Sequence, residues 1–324
     1  MMDASAPAHA EPQVELVVCP PWRTECPHLA LAYLSTYLRT HGVRTRVRDF
    51  NAELYSRIDP EYRRYWDLTT SDFWARPAIL DGVFPPATTQ YLSEFIDSLL
   101  NSPASAIGFS CQSANVNFTL GLVEQLRARG CDKLIVFGGP SVRLHAPPDP
   151  RTIGLTGFRP TGMNEMDSTA EIQHHLDRVD VFVEGEGEET LLDVVTAHLA
   201  GAPLTEIPGA IAWRSGGREL PYRARPQQPD LDRFPAPTFE EFDLSIYQKR
   251  ILPFLTSRGC VRKCAMCYER ILWPGFRHRG VGHIVAEMRA HLERFGIEQF
   301  SCNDLLLNGN LPHLGAVCDA VAAS

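Results

Sequence analysis

Cys260, Cys264 and Cys267 lie in the segment Ser257-Arg-Gly-Cys-Val-Arg-Lys-Cys-Ala-Met-Cys-Tyr268, directly after the apolar run Ile251 to Leu255. Three thiolates at Cys-x3-Cys-x2-Cys spacing on one short loop can hold three irons of a cubane cluster and leave the fourth iron open. An open coordination position is what separates a reactive metal centre from a structural one. A zinc site with His278 or His283 as the fourth ligand uses the same residue types, although zinc cysteines usually come as Cys-x2-Cys pairs. Three unrelated buried cysteines are the remaining reading. Arg258, Arg262, Lys263, Arg270, Arg277 and Arg279 surround the loop and could stabilise an anionic cluster or a carboxylate, or could simply be solvated.

Other residues suited to ligand chemistry fall at the ends of apolar runs. Ser110 and Ser113 can donate hydroxyl hydrogen bonds to amides or a phosphate. Gly138 and Gly139, followed by Pro140, remove side chains where a bulky group would lie against a sheet. In Glu184-Gly-Glu-Gly-Glu-Glu189, Gly185 and Gly187 could bring backbone N–H groups to a ligand at a helix start, while the acids around them argue against a free phosphate. Each of these is equally compatible with a plain strand-to-helix turn. Asn303 and Asp304, after Phe300 to Cys302, offer acceptors suited to an ammonium group. Asp304 and Asn308 could instead shape a turn, and Cys302 reads as a core filler.

These residues need a scaffold, and the pattern of apolar runs supplies one. Val14 to Cys19, Arg44 to Asp49, Ser105 to Ser110, Lys133 to Gly138 and Asp180 to Val183 read as buried strands. Helices alternate with them. One carries Leu31, Leu34 and Leu38 and stops at Gly42; a second carries Leu120, Val123 and Leu126; a third starts from the capping-box pair Ser168 and Glu171; a fourth covers Glu188 to Leu199. Alternating strands and helices imply an α/β fold, a flavodoxin-like doubly wound parallel sheet that binds ligands beyond the carboxyl ends of its strands. Residues 52–104, rich in aromatics, and 141–166, polar and Pro-rich, look like insertions into a domain spanning 13–200. Residues 201–249 read as a connector, with a strand near Pro208 to Trp213 and an extended Pro-rich run. A second domain begins at 250 with the strand Ile251 to Leu255. It continues through a helix from His283 to Phe295, buried through Ile284, Met288, Leu292 and Phe295, then a strand from Glu298 to Cys302 and a helix from about Leu311.

Composition narrows the function classes. The chain has 324 residues, 44% of them apolar, and a net charge of −8, which argues against a general grip on nucleic acid. No apolar run approaches the roughly 20 residues of a membrane span. Residues 1–12 read as a disordered tail that lacks the basic start and apolar stretch of a signal peptide. Nine cysteines, three of them clustered, suit a reducing compartment such as the cytoplasm better than a disulfide framework.

The cysteine loop, with Arg258-Gly259 just before it, resembles the cluster motif of the radical S-adenosylmethionine (radical SAM) enzymes. Met266 stands where that family usually has an aromatic residue. The resemblance implies a 4Fe-4S cluster on Cys260, Cys264 and Cys267. It also implies S-adenosylmethionine on the open iron, cleaved to a 5′-deoxyadenosyl radical, with Met266, Tyr268, Asn303 and Asp304 at its binding site. Val17 to Trp22, the Ser110-x-x-Ser113 turn, Gly138-Gly139-Pro140 and Glu184 to Glu189 resemble the cobalamin-binding domain often fused ahead of such a core. On that likeness Ser110, Ser113, Gly138, Gly139, Pro140, Glu184, Gly185 and Gly187 would line a cobalamin site. Asp-x-His-x-x-Gly, the motif that supplies a histidine to cobalt from the first strand-to-helix loop, is absent from the sequence.

The implied activity is methyl transfer to an unactivated carbon, or a related cyclisation or rearrangement, on a small-molecule or peptide substrate. Electrons would come from a flavodoxin or ferredoxin. The family core resembles a partial (β/α) barrel of about six units, and only 57 residues follow Cys267. The sequence therefore also allows a truncated cobalamin- and cluster-binding module without catalysis, or one half of a split enzyme completed by a second chain.

Overall fold

A computed structural model of the chain describes residues 11–67, 73–74, 82–143, 154–155, 176–213, 222–262, 264, 267, 273 and 275–324. The first domain is laid down in the order β1 (Val14–Val18), α1 (Leu29–Thr40), β2 (Thr45–Asp49), α2 (Phe50–Arg57), α3 (Pro86–Leu100), β3 (Ala106–Ser110), α4 (Val116–Ala128), β4 (Leu134–Gly138), β5 (Val181–Val183), α5 (Gly187–Leu199) and β6 (Ala210–Ala212). The strands form one sheet in the order β2-β1-β3-β4-β5-β6. The first five are parallel, and β6 closes the edge antiparallel to β5. The 2-1-3-4-5 order is that of flavodoxin-like sheets, in which the chain reverses direction between the first and third strands and opens a crevice at their carboxyl ends. Strands β1 and β3 are buried at every position, as expected of parallel strands covered on both faces.

Two apolar layers sandwich the sheet. On one face Val17, Ile107, Phe109 and Phe137 meet α2, α3 and α4. The aromatics of the 52–104 insertion complete this layer: Phe50 stacks on Phe95 at 3.9 Å, and Trp74 is fully buried against Phe118 at 5.5 Å. On the other face Val14, Leu16, Val18, Val136 and Val181 meet α1 and α5. Helix α1 ends as its sequence implies, with Gly42 just past the cap at φ +82°. The capping-box pair Ser168 and Glu171 and most of the 141–166 insertion lie outside the described residues; Val142–Arg143 pair with Gly154–Leu155.

The connector is extended but packed. Phe239, Phe242 and Tyr247 are buried in the layer formed by α1 and α5, which also takes in Leu252 and Ile297 of the following segment. Each such side chain contributes about 1.5–3 kcal/mol of apolar burial. The Tyr247 hydroxyl donates to Asp49 Oδ2 at 2.8 Å, beneath the N-terminus of α2. The two halves of the chain therefore share one core layer.

The C-terminal part contains β7 (Ile251–Phe254), the antiparallel hairpin β8 (Ser257–Gly259) and β9 (Phe276–His278), α6 (Val281–Phe295), β10 (Gln299–Cys302) and α7 (Leu311–Ala322). β10 lies parallel to β7, so β7, α6 and β10 form the βαβ crossover of a parallel sheet. The buried face of α6 differs from the sequence expectation. Ile284, Glu287 and His291 are buried, Met288 is half-buried and Leu292 is 44% exposed. The cause is Arg279, which lies under the helix and pairs with Glu287 at 2.7 Å. A cation beneath the helix draws an acid inward and turns Leu292 out. Burial raises the Glu287 carboxyl and Arg279 partly offsets it; burial and Arg279 together hold His291 down to about 4.

Candidate functional site

A cavity of about 430 Å³ opens at the carboxyl ends of β1, β3 and β4 and reaches the β8 strand and Asn303. Glycines make room for it. Gly139 has φ +101°, and a Cβ there would sit 2.7 Å from the Cys111 carbonyl oxygen, so no other residue fits the turn. Gly108, in the middle of β3, opens the sheet face toward Leu34 and Leu191; a Cβ there would come within 3.1 Å of Leu16. The cavity therefore continues from the strand ends into an apolar slot between the sheet and helices α1 and α5.

Of the residues singled out in the sequence, Ser110, Gly138, Gly139, Pro140, Gly185 and Gly187 all line this cavity. Ser113 is exposed and lies away from it, and Gln112 takes its place. The turn is organised by Asn115, which is fully buried: its Oδ1 accepts from Gln112 N–H at 2.8 Å, and its Nδ2 donates to the Cys19 carbonyl at 3.1 Å. Glu184 also lies off the lining, its backbone N–H donating to Gly209 at 2.9 Å.

The loop between β1 and α1 supplies another wall through Trp22, the end of the Val17 to Trp22 stretch, and through Arg23, Cys26 and His28, which the sequence motifs did not single out. Asn51, fully buried, holds this loop. Its Oδ1 accepts from the Trp22 backbone N–H at 2.9 Å and from Trp66 Nε1 at 2.7 Å, and its Nδ2 donates to the Arg23 carbonyl at 3.0 Å. The aromatic insertion is thereby tied to the cavity wall.

The cysteines lie on the connection between β8 and β9. Gly259 starts it at φ +85°, and a Cβ there would stand 1.7 Å from the Gly275 carbonyl oxygen. That explains the glycine immediately before Cys260. Cys260 and Cys267 are half-buried and Cys264 is exposed. Among the described residues no three metal-ligating side chains stand close enough together to hold a metal ion. Lys263, Met266, Tyr268 and Arg270 lie outside the described residues. His283 Nδ1 is 3.1 Å from Asp232 Oδ2, and His278 stacks on His313 at 4.2 Å, so each candidate zinc histidine has its own neighbour.

Arg258 is not a free cation beside the cysteines. It is 8% exposed, with Nη1 3.1 Å from Glu186 Oε1 and Nη2 on Glu188 Oε1. Its guanidinium carbon lies 5.3 Å from the Tyr33 ring centroid and 4.9 Å from that of Phe234. Arg277 forks onto Glu186 at 2.7 and 3.1 Å. Burial alone would raise the Glu186 carboxyl, but Arg277 and Arg258 hold it below the ordinary carboxylate range. Burial opposes the charge on Arg258, and Glu188 and Glu186 more than restore it. The acidic turn before α5 thus clamps the strand that leads into Cys260. Arg279 is likewise paired with Glu287, while Arg262 is exposed.

At the end of β10 the two candidate acceptors differ. Asp304 accepts from the backbone N–H groups of Thr256 and Ser257 at 2.7 and 3.2 Å, and from both hydroxyls, so it fixes the corner between β7 and β8. Asn303 lines the cavity. Burial pushes the Cys302 thiol up to about 11, as suits a packed side chain.

The residues present fit the groups implied by the sequence. Cys260, Cys264 and Cys267 supply the donor chemistry of a cubane cluster on one hairpin connection, although in this structure they are not gathered to metal-binding distance. A glycine-walled, largely apolar cavity at the strand ends of a 2-1-3-4-5 sheet matches a bulky cofactor.

No protein-family model matches the chain. The cytidylyl-2-hydroxyethylphosphonate methyltransferase of Streptomyces wedmorensis is 28% identical over 319 residues, 88% of this chain and 52% of that protein. An uncharacterized methyltransferase of Pyrococcus horikoshii is 29% identical over 131 residues, 39% of this chain and 28% of its own length. The chain thus spans about half the length, or less, of these curated relatives. Among solved structures, the cobalamin-dependent S-adenosylmethionine radical enzyme OxsB with aqua-cobalamin and S-adenosylmethionine bound superposes with a TM-score of 0.63 at 17% identity, over 97% of this chain and 37% of that one. The radical S-adenosylmethionine methyltransferase TsrM of Kitasatospora setae gives 0.58 at 18% identity, over 95% of this chain and 50% of that one. From the β1 strand through the cysteine hairpin to α7, the chain therefore has the fold of the cobalamin-dependent radical SAM enzymes.

Proposed function

We propose that this chain carries the cofactor-binding part of a cobalamin-dependent radical SAM enzyme, most simply one that transfers a methyl group to an unactivated carbon. The carrying observation is the shared cavity: Ser110, Gly138 and Gly139 from the sheet, and Ser257 to Gly259 and Asn303 from the cysteine-bearing part, face the same space. When bound, cobalamin supplies a methyl carrier, and a reduced cluster supplies the electron that cleaves S-adenosylmethionine. The protein's own share is positional. Cys260, Cys264 and Cys267 would hold the cluster, and Asn303 would offer an oxygen to the S-adenosylmethionine ammonium. Gly138, Gly139, Gly185 and Gly187 leave the cavity wall bare for the corrinoid, and the Arg258 clamp fixes the distance between the two halves.

The substrate class on this reading is a small molecule or peptide, and a flavodoxin or ferredoxin supplies electrons in a reducing compartment. Among the described residues no helix is long and apolar enough to cross a membrane. The test is anaerobic reconstitution with iron and sulfide, followed by S-adenosylmethionine and dithionite. Release of 5′-deoxyadenosine by the wild type and not by Cys264→Ala supports the reading; equal traces from both contradict it.

A second reading is favoured by one specific feature. In α7, a strongly apolar helix, only Val317 is buried, with Leu311 67% and Val321 40% exposed. A second chain that covers this face would make the protein one half of a two-chain enzyme. A native mass equal to the single chain, unchanged when a lysate is supplied, counts against that.

A further inference from the structure

The loop between β1 and α1 is where cobalamin domains with a cobalt-ligating histidine place it. Here it carries His28, outside any Asp-x-His-x-x-Gly context. His28 lines the cavity and is 6% exposed. It is also the N-cap of α1: its Nδ1 accepts the Leu31 backbone N–H at 3.4 Å. An imidazole that accepts through Nδ1 carries its proton on Nε2 when neutral. Burial holds the imidazolium down to about 4, so the ring is neutral near pH 7. Among the described residues Nε2 has no hydrogen-bond partner. Ligation of a metal through Nε2 would need the proton moved to Nδ1, where it would face the Leu31 N–H and destroy the cap.

We propose that His28 is a hydrogen-bond donor to the ligand of this cavity, its Nε2–H meeting an amide or phosphate oxygen on the periphery of a corrinoid, and that it is not a ligand to the cobalt. The inference rests on the cobalamin reading above. A ligand oxygen would meet a ring N–H that opens on the cavity and has no protein partner among the described residues, and nothing in the ligand needs to displace the helix cap.

The test measures hydroxocobalamin affinity for the wild type, His28→Ser and His28→Asn. Serine and asparagine both cap helices well, so the fold and α1 are retained, which a thermal melt checks. Serine removes the reach of Nε2. Loss of one neutral hydrogen bond predicts binding about 5- to 20-fold weaker for His28→Ser. Independently of any variant, the electron paramagnetic resonance spectrum of bound cob(II)alamin is expected to be identical in protein grown with ¹⁴N- and ¹⁵N-histidine. A ¹⁵N-dependent splitting would show ligation and overturn the inference. Wild-type affinity in a folded His28→Ser would overturn the donor role while leaving the cobalamin reading intact. Failure of the wild type to take up any corrinoid would overturn both.

Discussion

Gly259 and Asp49 show how single positions set the geometry around the cysteines and the cavity. A methyl group at 259 would meet the Gly275 carbonyl oxygen at 1.7 Å, on a backbone already at φ +85°. Gly259→Ala should therefore open the base of the β8–β9 hairpin, at a cost of about 2 kcal/mol or more. Iron bound per chain after reconstitution should fall with it, while far-UV circular dichroism stays close to wild type. Asp49 anchors α2 and accepts from Tyr247, and burial pushes its carboxyl from 3.8 up to about 7. A raised acid stabilises the folded state at low pH and loses that contribution as the pH rises toward 7. His28 and His291, held down from 6.5 to about 4, act oppositely: their contribution is present above about 6.5 and lost as the pH falls. The wild type should thus show partial cancellation between pH 4 and 7. Asp49→Asn removes the falling component, so its denaturant midpoint should rise more steeply with pH across that window. A slope equal to wild type would show that Asp49 titrates normally.

At the scale of elements, the turn before α5 and strand β8 act as one unit. Arg258→Met leaves Glu186 and Glu188 short of a buried partner, and breaking a buried pair from one side costs about 3–5 kcal/mol. Adding Glu188→Gln to Arg258→Met should recover part of that loss, measured as a positive coupling in a double-mutant cycle by urea unfolding. What could be read from the sequence follows from the same logic. The parallel strands were legible because burial on both faces leaves unbroken apolar runs such as Val14 to Val18. The cysteine loop was legible because its chemistry is local. The partners of Arg258 and Arg277 were not, because Glu186 and Glu188 lie 70 to 91 residues away in the chain. The face of α6 was misjudged for a different reason: apolar spacing within the helix takes no account of Arg279 just before it, whose pairing with Glu287 draws that acid inward. Ser113 resembled a ligand residue by type, whereas the turn is held by Asn115, which the motifs did not single out.

Across the whole molecule the two parts share a core layer and a cavity lining. Phe239, Phe242, Tyr247 and Leu252 are buried in the same layer as α1 and α5, so the hairpin does not ride on a loose tether. The exposed apolar face of α7 belongs to this scale too. Leu311→Lys and Val321→Lys together should change the unfolding free energy by less than about 0.5 kcal/mol each, as expected of exposed sites. They should abolish any association of the chain through that face, read by sedimentation velocity. On the proposed function, a cluster on Cys260, Cys264 and Cys267 and a corrinoid in the cavity would lie close to each other. Electron paramagnetic resonance of protein carrying both a reduced cluster and cob(II)alamin measures this directly. Expected is a spin–spin interaction that broadens both signals and disappears in Cys264→Ala. Two full-intensity signals with no mutual interaction, or a preparation that accepts zinc and no cluster, would contradict it.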